Sequence, residues 1–211
     1  MGVPGLLLFT GGQGRRFGGA KHTQPHPDGG TWGGHLAGVF SAVFPHGLIQ
    51  VLGLGLPDRP DLVPMADPGA GPAVALRHWA GRCGLQADRW WLLPCDQLAW
   101  TPASLADWHR AAEAADPGAA HWVMARTEGR AQPLGGFLAA SLLDPLSRLP
   151  GQALMALADA LPCRLLDAQA GPWRDVDTRA DLARFLAGRA DPRSPAPDRD
   201  PDSLARGAGP L

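Results

Sequence analysis

An uninterrupted apolar run that leads straight into glycines is the feature that most constrains the fold of this 211-residue chain. Residues 5–9 read GLLLF, and residues 11–19 read GGQGRRFGG. A short apolar run without alternation is typical of a strand buried on both faces, as in parallel sheets covered by helices. Glycines allow backbone N–H groups to approach a ligand without interference from a Cβ atom. We therefore predict a buried first strand, 6–9, that ends in a phosphate-binding loop.

Apolar runs and segments of helical spacing alternate along the rest of the chain. We predict further strands at 48–54, 89–96, 121–125 and 163–166, and a long loop at 55–71. We predict helices at 35–44, 72–79, 137–148 and 152–161, one from Pro102 to the turn at 116–118, and a short one that Thr178 caps. Such alternation predicts a three-layer, Rossmann-like α/β fold with a mostly parallel central sheet.

The composition changes near the end of the chain. Residues 187–211 are rich in proline, aspartate, arginine and glycine and contain few large apolar side chains. Such a segment buries too little apolar surface to offset the entropy of ordering it. We therefore predict one domain over residues 1–186 and a disordered tail over 187–211.

Charge and cysteine content exclude several classes of function. The net charge is -1, so no basic field is present to attract nucleic acid. The three cysteines are far apart and odd in number, which argues against a disulfide framework or a zinc site and suits a reducing compartment. No apolar run is long enough for a signal peptide or a membrane span. We expect a cytoplasmic protein that binds neither nucleic acid nor a membrane.

Lys21 is the only lysine in a chain with 18 arginines, and it follows the glycine loop. A lysine presents a compact ammonium on a flexible stem, whereas arginine presents a planar fork. The loop matches neither the Walker A pattern nor the dinucleotide pattern G-x-G-x-x-G. We interpret Lys21 as a point charge for a crowded polyphosphate. The alternative is a surface loop in which one lysine remains by chance.

Two aspartates are candidates for holding a cation. Asp96 directly follows the apolar run RWWLLPC, and ligands of open α/β sheets gather at the carboxyl ends of strands. Asp177 lies in the segment DVDTRADL ahead of the last predicted helix. Mg²⁺ is usually held by one or two carboxylates together with substrate phosphates. We predict such a pair, although Asp96 could instead form a turn and Asp177 could interact with the helix N-terminus.

These segments resemble the molybdenum cofactor guanylyltransferases, a family of nucleotidyltransferases. The family's first loop has the form L-A-G-G-x-S-x-R-M-G-x-D-K, and this chain has FTGGQGRRFGGAK at residues 9–21. An acid followed by G-P appears as ADPGAGP with Asp67, the strand that ends in P-C-D appears as LLPCD, and Q-P-L appears at 132–134. The closing N-x-N-T-P-E-D-L element appears as DVDTRADL. The order and spacing agree over about residues 5–186.

The resemblance implies a function and a set of site residues. The family's fold is the Rossmann-like nucleotidyltransferase fold, and its reaction joins GMP from GTP to Mo-loaded molybdopterin with Mg²⁺ as cofactor. Catalytic roles would fall to Lys21, Arg16 and Asp96, and Mg²⁺ would be held by Asp96 and Asp177. Transient contacts with cofactor-insertion proteins are implied as well. The implied nucleotide-binding residues are Phe9, Thr10, Gly11, Gly12, Gly14, Arg16, Lys21, Asp67 and Asp96.

Several departures from the family pattern keep alternatives open. Ala20 replaces the aspartate before the lysine, and GPAVAL at 71–76 lacks the family's G-P-L-A-G continuation, where the base would be recognised. The same chemistry with CTP or with another phosphate acceptor is one alternative. A degenerate protein that binds a nucleotide without turnover is another.

Other polar and aromatic side chains lie near the predicted loops. Trp32, Trp100 and Trp173 could stack on a base or a pterin, but packing is the favoured interpretation. His22 and His26 follow Lys21, and nothing in the sequence distinguishes them from surface histidines.

Overall fold

The computed structural model describes residues 2–12, 14, 16–84 and 86–190. The remainder of the predicted tail, residues 191–211, lies outside the described residues. The last helix continues to Ala190, beyond the predicted domain end at 186.

Seven strands form a single sheet, in the order β3-β2-β1-β4-β6-β5-β7. They are β1 (Gly5–Phe9), β2 (Leu48–Leu52), β3 (Pro64–Met65), β4 (Arg89–Pro94), β5 (Trp122–Thr127), β6 (Arg130–Ala139) and β7 (Cys163–Asp167). β6 runs antiparallel to both of its neighbours, and the other pairings are parallel. The predicted α/β fold with a mostly parallel sheet is therefore confirmed.

Helices cover both faces of this sheet. They are α1 (Trp32–Val43), α2 (Pro72–Ala80), α3 (Pro102–Ala115), α4 (Leu143–Arg148), α5 (Leu154–Asp159) and α6 (Arg179–Ala190). α1 and α3 pack on the face that carries Leu6 and Leu8, and α2, α4 and α5 pack on the face that carries Leu7. Since successive strand residues point to opposite faces, a β1 buried from both sides has to be apolar throughout. Within the described part of the chain, no helix is long and apolar enough to cross a bilayer.

The helix predicted at 137–148 is wrong over its first part. Phe137 to Ala139 end the long strand β6, and the helix α4 begins only at Leu143. β5 and β6 form a hairpin whose two turn residues, Glu128 and Gly129, have φ values of 50° and 76°. Two positive φ values are typical of a type I′ turn, which Asn-Gly or Asp-Gly usually signals. The hairpin was missed because Glu-Gly is a weaker signal and because Pro133, Gly135 and Gly136 interrupt the apolar pattern of β6.

The aromatic and histidine side chains near the loops are part of the interior. Trp32, Trp100 and Trp173 are buried, so packing is the correct interpretation for all three. Trp100 and Trp173 meet edge to face, with ring centroids 4.8 Å apart. His22 and His26 are also buried, which corrects their interpretation as surface histidines.

Candidate functional site

The glycine loop and Asp96 leave the sheet at the same edge. β1 and β4 are parallel neighbours with Phe9 opposite Pro94, and the Cys95 N–H donates to the Phe9 carbonyl over 3.1 Å. Thr10 ties the start of the loop to the end of β2, because its hydroxyl donates to the Leu54 carbonyl over 2.6 Å. The carboxyl ends of three adjacent strands therefore support one site, as expected for an open α/β sheet.

At two glycines of the loop a Cβ atom would lie too close to a neighbour, which is a backbone oxygen at Gly14 and the end of a flexible side chain at Gly11. Gly14 has a φ of 53°, and a Cβ there would lie 1.8 Å from the Gly19 carbonyl oxygen. A Cβ on Gly11 would lie 2.0 Å from Oδ2 of Asp67. The loop backbone is thus in close contact with itself and with the Asp67 carboxylate, whose Oδ1 accepts from the Gly69 N–H over 2.8 Å.

One cavity of about 620 Å³ brings the predicted residues together. It lies outside the carboxyl ends of β1 and β4, and Leu134 of the predicted Q-P-L segment also faces it. A cavity of this volume is within the range of small-molecule sites. Every residue that the sequence assigned to a nucleotide or a metal lines it: Phe9, Thr10, Gly11, Gly12, Gly14, Arg16, Lys21, Asp67, Asp96 and Asp177.

Lys21 bridges the two candidate metal carboxylates. Its Nζ lies 2.9 Å from Oδ2 of Asp96 and 2.6 Å from Oδ1 of Asp177. Burial by itself would lower the pKa of Lys21, but hydrogen bonds and charges from both aspartates outweigh it, so that the pKa is raised. Arg16 approaches the other oxygen of Asp177, at 3.3 Å, from a largely exposed position. The ammonium is therefore charged and held in a cradle of two carboxylates.

The segment before α6 brings Asp177 to the cavity. The Val176 N–H donates to the Asp96 carbonyl over 2.9 Å, which joins this segment to the end of β4. Thr178 caps α6 together with Asp181, because the Thr178 N–H donates to Asp181 Oδ2 and the Asp181 N–H donates to Thr178 Oγ1. The predicted cap is thus confirmed. Since Thr178 and Asp181 serve the helix end, the Asp177 carboxylate is directed to Lys21 rather than to the helix.

The chemistry of Asp96 suits a divalent cation. Its Oδ2 contacts Lys21, whereas its Oδ1 is buried and has no hydrogen-bond partner among the described residues. A buried carboxylate oxygen without a partner is unfavourable unless a proton donor or a cation completes it. Carboxylate oxygens are ligands that Mg²⁺ and Mn²⁺ accept. Asp96 and Asp177 therefore fit a metal of this class.

Sequence reasoning missed Asp175 and Gln97 as parts of the site. The Gln97 amide is buried and donates to Asp175 Oδ1 over 3.3 Å, while its Oε1 accepts from the Trp100 indole over 3.4 Å. Removal of the Asp175 carboxyl from water, and then the negative charge of Asp96, raise its pKa to about 6. Asp175 is thus a third acidic group near the Lys21 cradle. The sequence signal for Asp175 was the segment DVD at 175–177, in which a second aspartate stands two residues before Asp177.

Cys95 lines the cavity but is not set up as a nucleophile. The residue is 6% exposed, and burial followed by the charge of Asp96 raises the pKa of its thiol to about 12. Only the thiolate attacks electrophiles, and it is scarcely populated at neutral pH with such a pKa. The side chain therefore contributes shape to the cavity wall.

His26, Asp28 and His35 form a second cluster, beside α6. Their potential ligand atoms lie within 4.8 Å of one another. The two imidazole rings are stacked, with centroids 3.6 Å apart and planes 12° apart. An imidazole binds a metal through a lone pair in its ring plane, so one ion cannot lie in both planes in this arrangement. Arg189 of α6 also pairs with Asp28, because its Nη2 donates to Asp28 Oδ1 over 2.5 Å. We therefore interpret the cluster as a contact that holds α6 against the domain.

Comparison with protein families gives one match across most of the chain. A family model described as MobA-like NTP transferase domain matches residues 6–165. This span begins at β1 and ends within β7, so that it includes the glycine loop, Asp67 and Asp96. The comparison with curated proteins found no match.

Solved structures share the fold at low sequence identity. The protein Rv0371c of Mycobacterium tuberculosis H37Rv has a TM-score of 0.65 and 23% identity, over 89% of this chain and 99% of that chain. A second structure of Rv0371c, with a TM-score of 0.60 and 21% identity over the same shares, is a complex with manganese. Molybdopterin-guanine dinucleotide biosynthesis protein A from Archaeoglobus fulgidus has a TM-score of 0.64 and 14% identity, over 88% and 99%. At these identities the likeness establishes the fold alone.

Proposed function

We propose that this chain, which belongs to the family of MobA-like NTP transferase domains, transfers GMP from GTP to Mo-loaded molybdopterin. An oxygen of the terminal molybdopterin phosphate attacks the α-phosphorus of GTP. A new phosphorus–oxygen bond forms there, and the bond to the oxygen that leads to the β-phosphate breaks. The products are molybdopterin guanine dinucleotide and pyrophosphate. The attacking phosphate is already ionised, so the step needs no protein base.

The residues around the cavity divide this work between binding and charge stabilisation. The backbone of the glycine loop and Arg16 would hold the triphosphate, and Asp67 would contact the nucleotide. Lys21 would stabilise the charge that develops on the α-phosphate and on the leaving pyrophosphate. Positioning and electrostatic stabilisation carry most of the catalysis in reactions of this type.

Asp96 and Asp177 would hold the divalent metal, which we propose to be Mg²⁺. The unpartnered Oδ1 of Asp96 and the hard oxygen donors of both side chains suit such an ion. When bound, a divalent ion neutralises negative charge on the phosphates. The two aspartates themselves would orient the substrate and keep the glycine loop in place around it.

The observation that carries the proposal is the convergence of the residues assigned to the nucleotide and the metal on one cavity. They come from segments as distant as residues 9 and 177, yet all of them line the same space. At its centre a single lysine contacts both candidate metal ligands. A glycine-rich surface loop with a chance lysine would not require this arrangement.

Pyrophosphate release tests the proposal. The purified protein is supplied with Mg²⁺, Mo-loaded molybdopterin, and either GTP or CTP, with Asp96→Asn as the control variant. We expect release with GTP that the control lacks. Pyrophosphate release with CTP and not with GTP would support nucleotidyl transfer but would assign the specificity to cytosine. Binding of GTP without release from either nucleotide would contradict the proposal and favour a binding protein without turnover.

A further inference from the structure

We propose that the ammonium of Lys21 and the divalent metal exchange on the carboxylates of Asp96 and Asp177, so that Lys21 leaves the two carboxylates only when the metal enters. This rests on the proposed function in one respect, namely that Asp96 and Asp177 are the metal ligands. The inference concerns the order and coupling of binding, which the proposed reaction does not specify.

The contacts of Lys21 are those of a resident cation. Nζ donates to one oxygen of Asp96 over 2.9 Å and to one of Asp177 over 2.6 Å, and the Lys21 side chain is only 12% exposed. Asp96 Oδ1 is not bonded to Lys21, so a metal could reach Asp96 through it, but a metal that also bound Asp177 would lie beside the ammonium on the same two carboxylates. Two cations this close repel each other. The metal and the ammonium therefore compete for this pair of carboxylates.

The pairing of charges around Lys21 makes the exchange depend on the nucleotide. The negative charges of Asp96 and Asp177 are matched by Lys21 and Arg16, while Asp67 also lines the cavity and Asp175 lies near the cradle. A divalent ion that arrives alone leaves the Lys21 ammonium buried without a partner, which is costly. A triphosphate that arrives with the metal offers Lys21 new oxygens. Metal and nucleotide should therefore increase each other's affinity, as reciprocal linkage requires.

The exchange also explains why this position holds a lysine. The four-carbon stem can swing between two sets of oxygens while the charge remains compact. A guanidinium pairs with carboxylates through a fixed planar fork, which favours a static bridge. The single lysine of the chain is placed where a cation has to move.

Metal affinity without nucleotide tests the exchange. Binding of Mn²⁺ alone is measured by the electron paramagnetic resonance signal of the free ion, for the wild type, Lys21→Met and Arg16→Met. We expect Lys21→Met to bind Mn²⁺ about tenfold more tightly than the wild type, in the range of typical coupling energies. Arg16→Met removes the same charge, but this exposed side chain contacts Asp177 alone, so we expect a gain of about twofold. Adding a non-hydrolysable GTP analogue should tighten Mn²⁺ binding more in the wild type than in Lys21→Met.

Controls locate the ion and separate this inference from the proposed function. Asp96→Asn combined with Lys21→Met should lose the gain, and thermal unfolding should show that each variant is folded. The exchange is overturned if Lys21→Met binds Mn²⁺ no more tightly than the wild type, if Arg16→Met gains as much, or if no protein binds the ion. If one of these outcomes occurs while the wild type still releases pyrophosphate, the exchange is refuted and the proposed function stands. If Lys21→Met binds Mn²⁺ more tightly as expected but the wild type releases no pyrophosphate, the exchange stands and the proposed function is refuted.

Discussion

Lys21 and the glycines before it show how single residues determine the properties of the cavity. Lys21 lies between two carboxylates that would otherwise repel each other across the site. Gly14 adopts a backbone conformation that side chains rarely tolerate, and its carbonyl accepts N–H groups from Phe17, Gly18 and Gly19 at 2.9, 2.8 and 3.2 Å. The loop that presents Lys21 therefore depends on a glycine at position 14.

A substitution within the loop tests this dependence. We expect Gly14→Ala to lower the free energy of unfolding by about 1–3 kcal/mol and to weaken GTP binding, because φ is positive and the new Cβ would meet the Gly19 carbonyl. Gly19→Ala is the matched control, since its Cβ would meet no atom within 4 Å. Chemical denaturation and equilibrium binding measure the two effects. Equal behaviour of the two variants would refute the assigned role of Gly14.

At the scale of elements, the last helix and the buried histidines are coupled. α6 begins two residues after Asp177, and its Phe185 and Arg189 lie against the cluster of His26, Asp28 and His35. Burial, and then the charge of His35, lower the pKa of His26 to about 4, while Asp28 opposes this shift and Arg189 adds to it. His26 is therefore neutral at pH 7 when α6 is packed against it.

The stability of this packing should depend on pH in a defined direction. The folded pKa of His26 lies below its ordinary value, so its contribution is complete above about pH 6.5 and is lost as the pH falls towards 4. We expect acidification from pH 7 to pH 5 to cost about 2 kcal/mol of unfolding free energy through this residue. Urea denaturation at both pH values measures the loss. His26→Leu should show a smaller loss over the same interval, and an unchanged loss would assign the effect to other groups.

At the scale of the whole molecule, the sheet order determines where the site lies. β1 is an interior strand and has β2 and β4 as parallel neighbours, so three carboxyl ends meet beside the glycine loop. β6 inserts between β4 and β5 in the opposite direction, and its Leu134 reaches the same cavity. The two layers of helices exclude water from both sheet faces and leave this edge open to a ligand.

Truncation tests where the domain ends. We expect a chain that ends at residue 190 to keep its unfolding free energy within about 0.5 kcal/mol and to keep its affinity for GTP. A chain that ends at 186 would shorten α6 and lose the pair between Arg189 and Asp28, so we expect it to be less stable. Thermal and urea unfolding compare the two chains. A large loss of stability in the longer one would show that residues 191–211 belong to the domain.

The sequence alone predicted the features that depend on local patterns. A continuous apolar run predicted β1 because burial on both faces leaves no place for a polar side chain. The glycines, Lys21 and Asp96 were assigned to one site because loops and acids that follow parallel strands meet at one edge. The strand β6 was missed because its pairing with β4 and β5 overrides a local pattern that Pro133, Gly135 and Gly136 interrupt.

The tertiary structure decided which charges meet and how each is balanced. Lys21 is separated from Asp96 by 75 residues and from Asp177 by 156, and no periodicity of the chain predicts that one ammonium bridges both. The roles of Asp175 and Gln97, and the burial of His22 and His26, became apparent only in the folded chain. Such contacts depend on strand order and register, and on water excluded by distant side chains. Residue type sets the charge that a side chain can carry, whereas its neighbours in the fold determine its pKa and its partner.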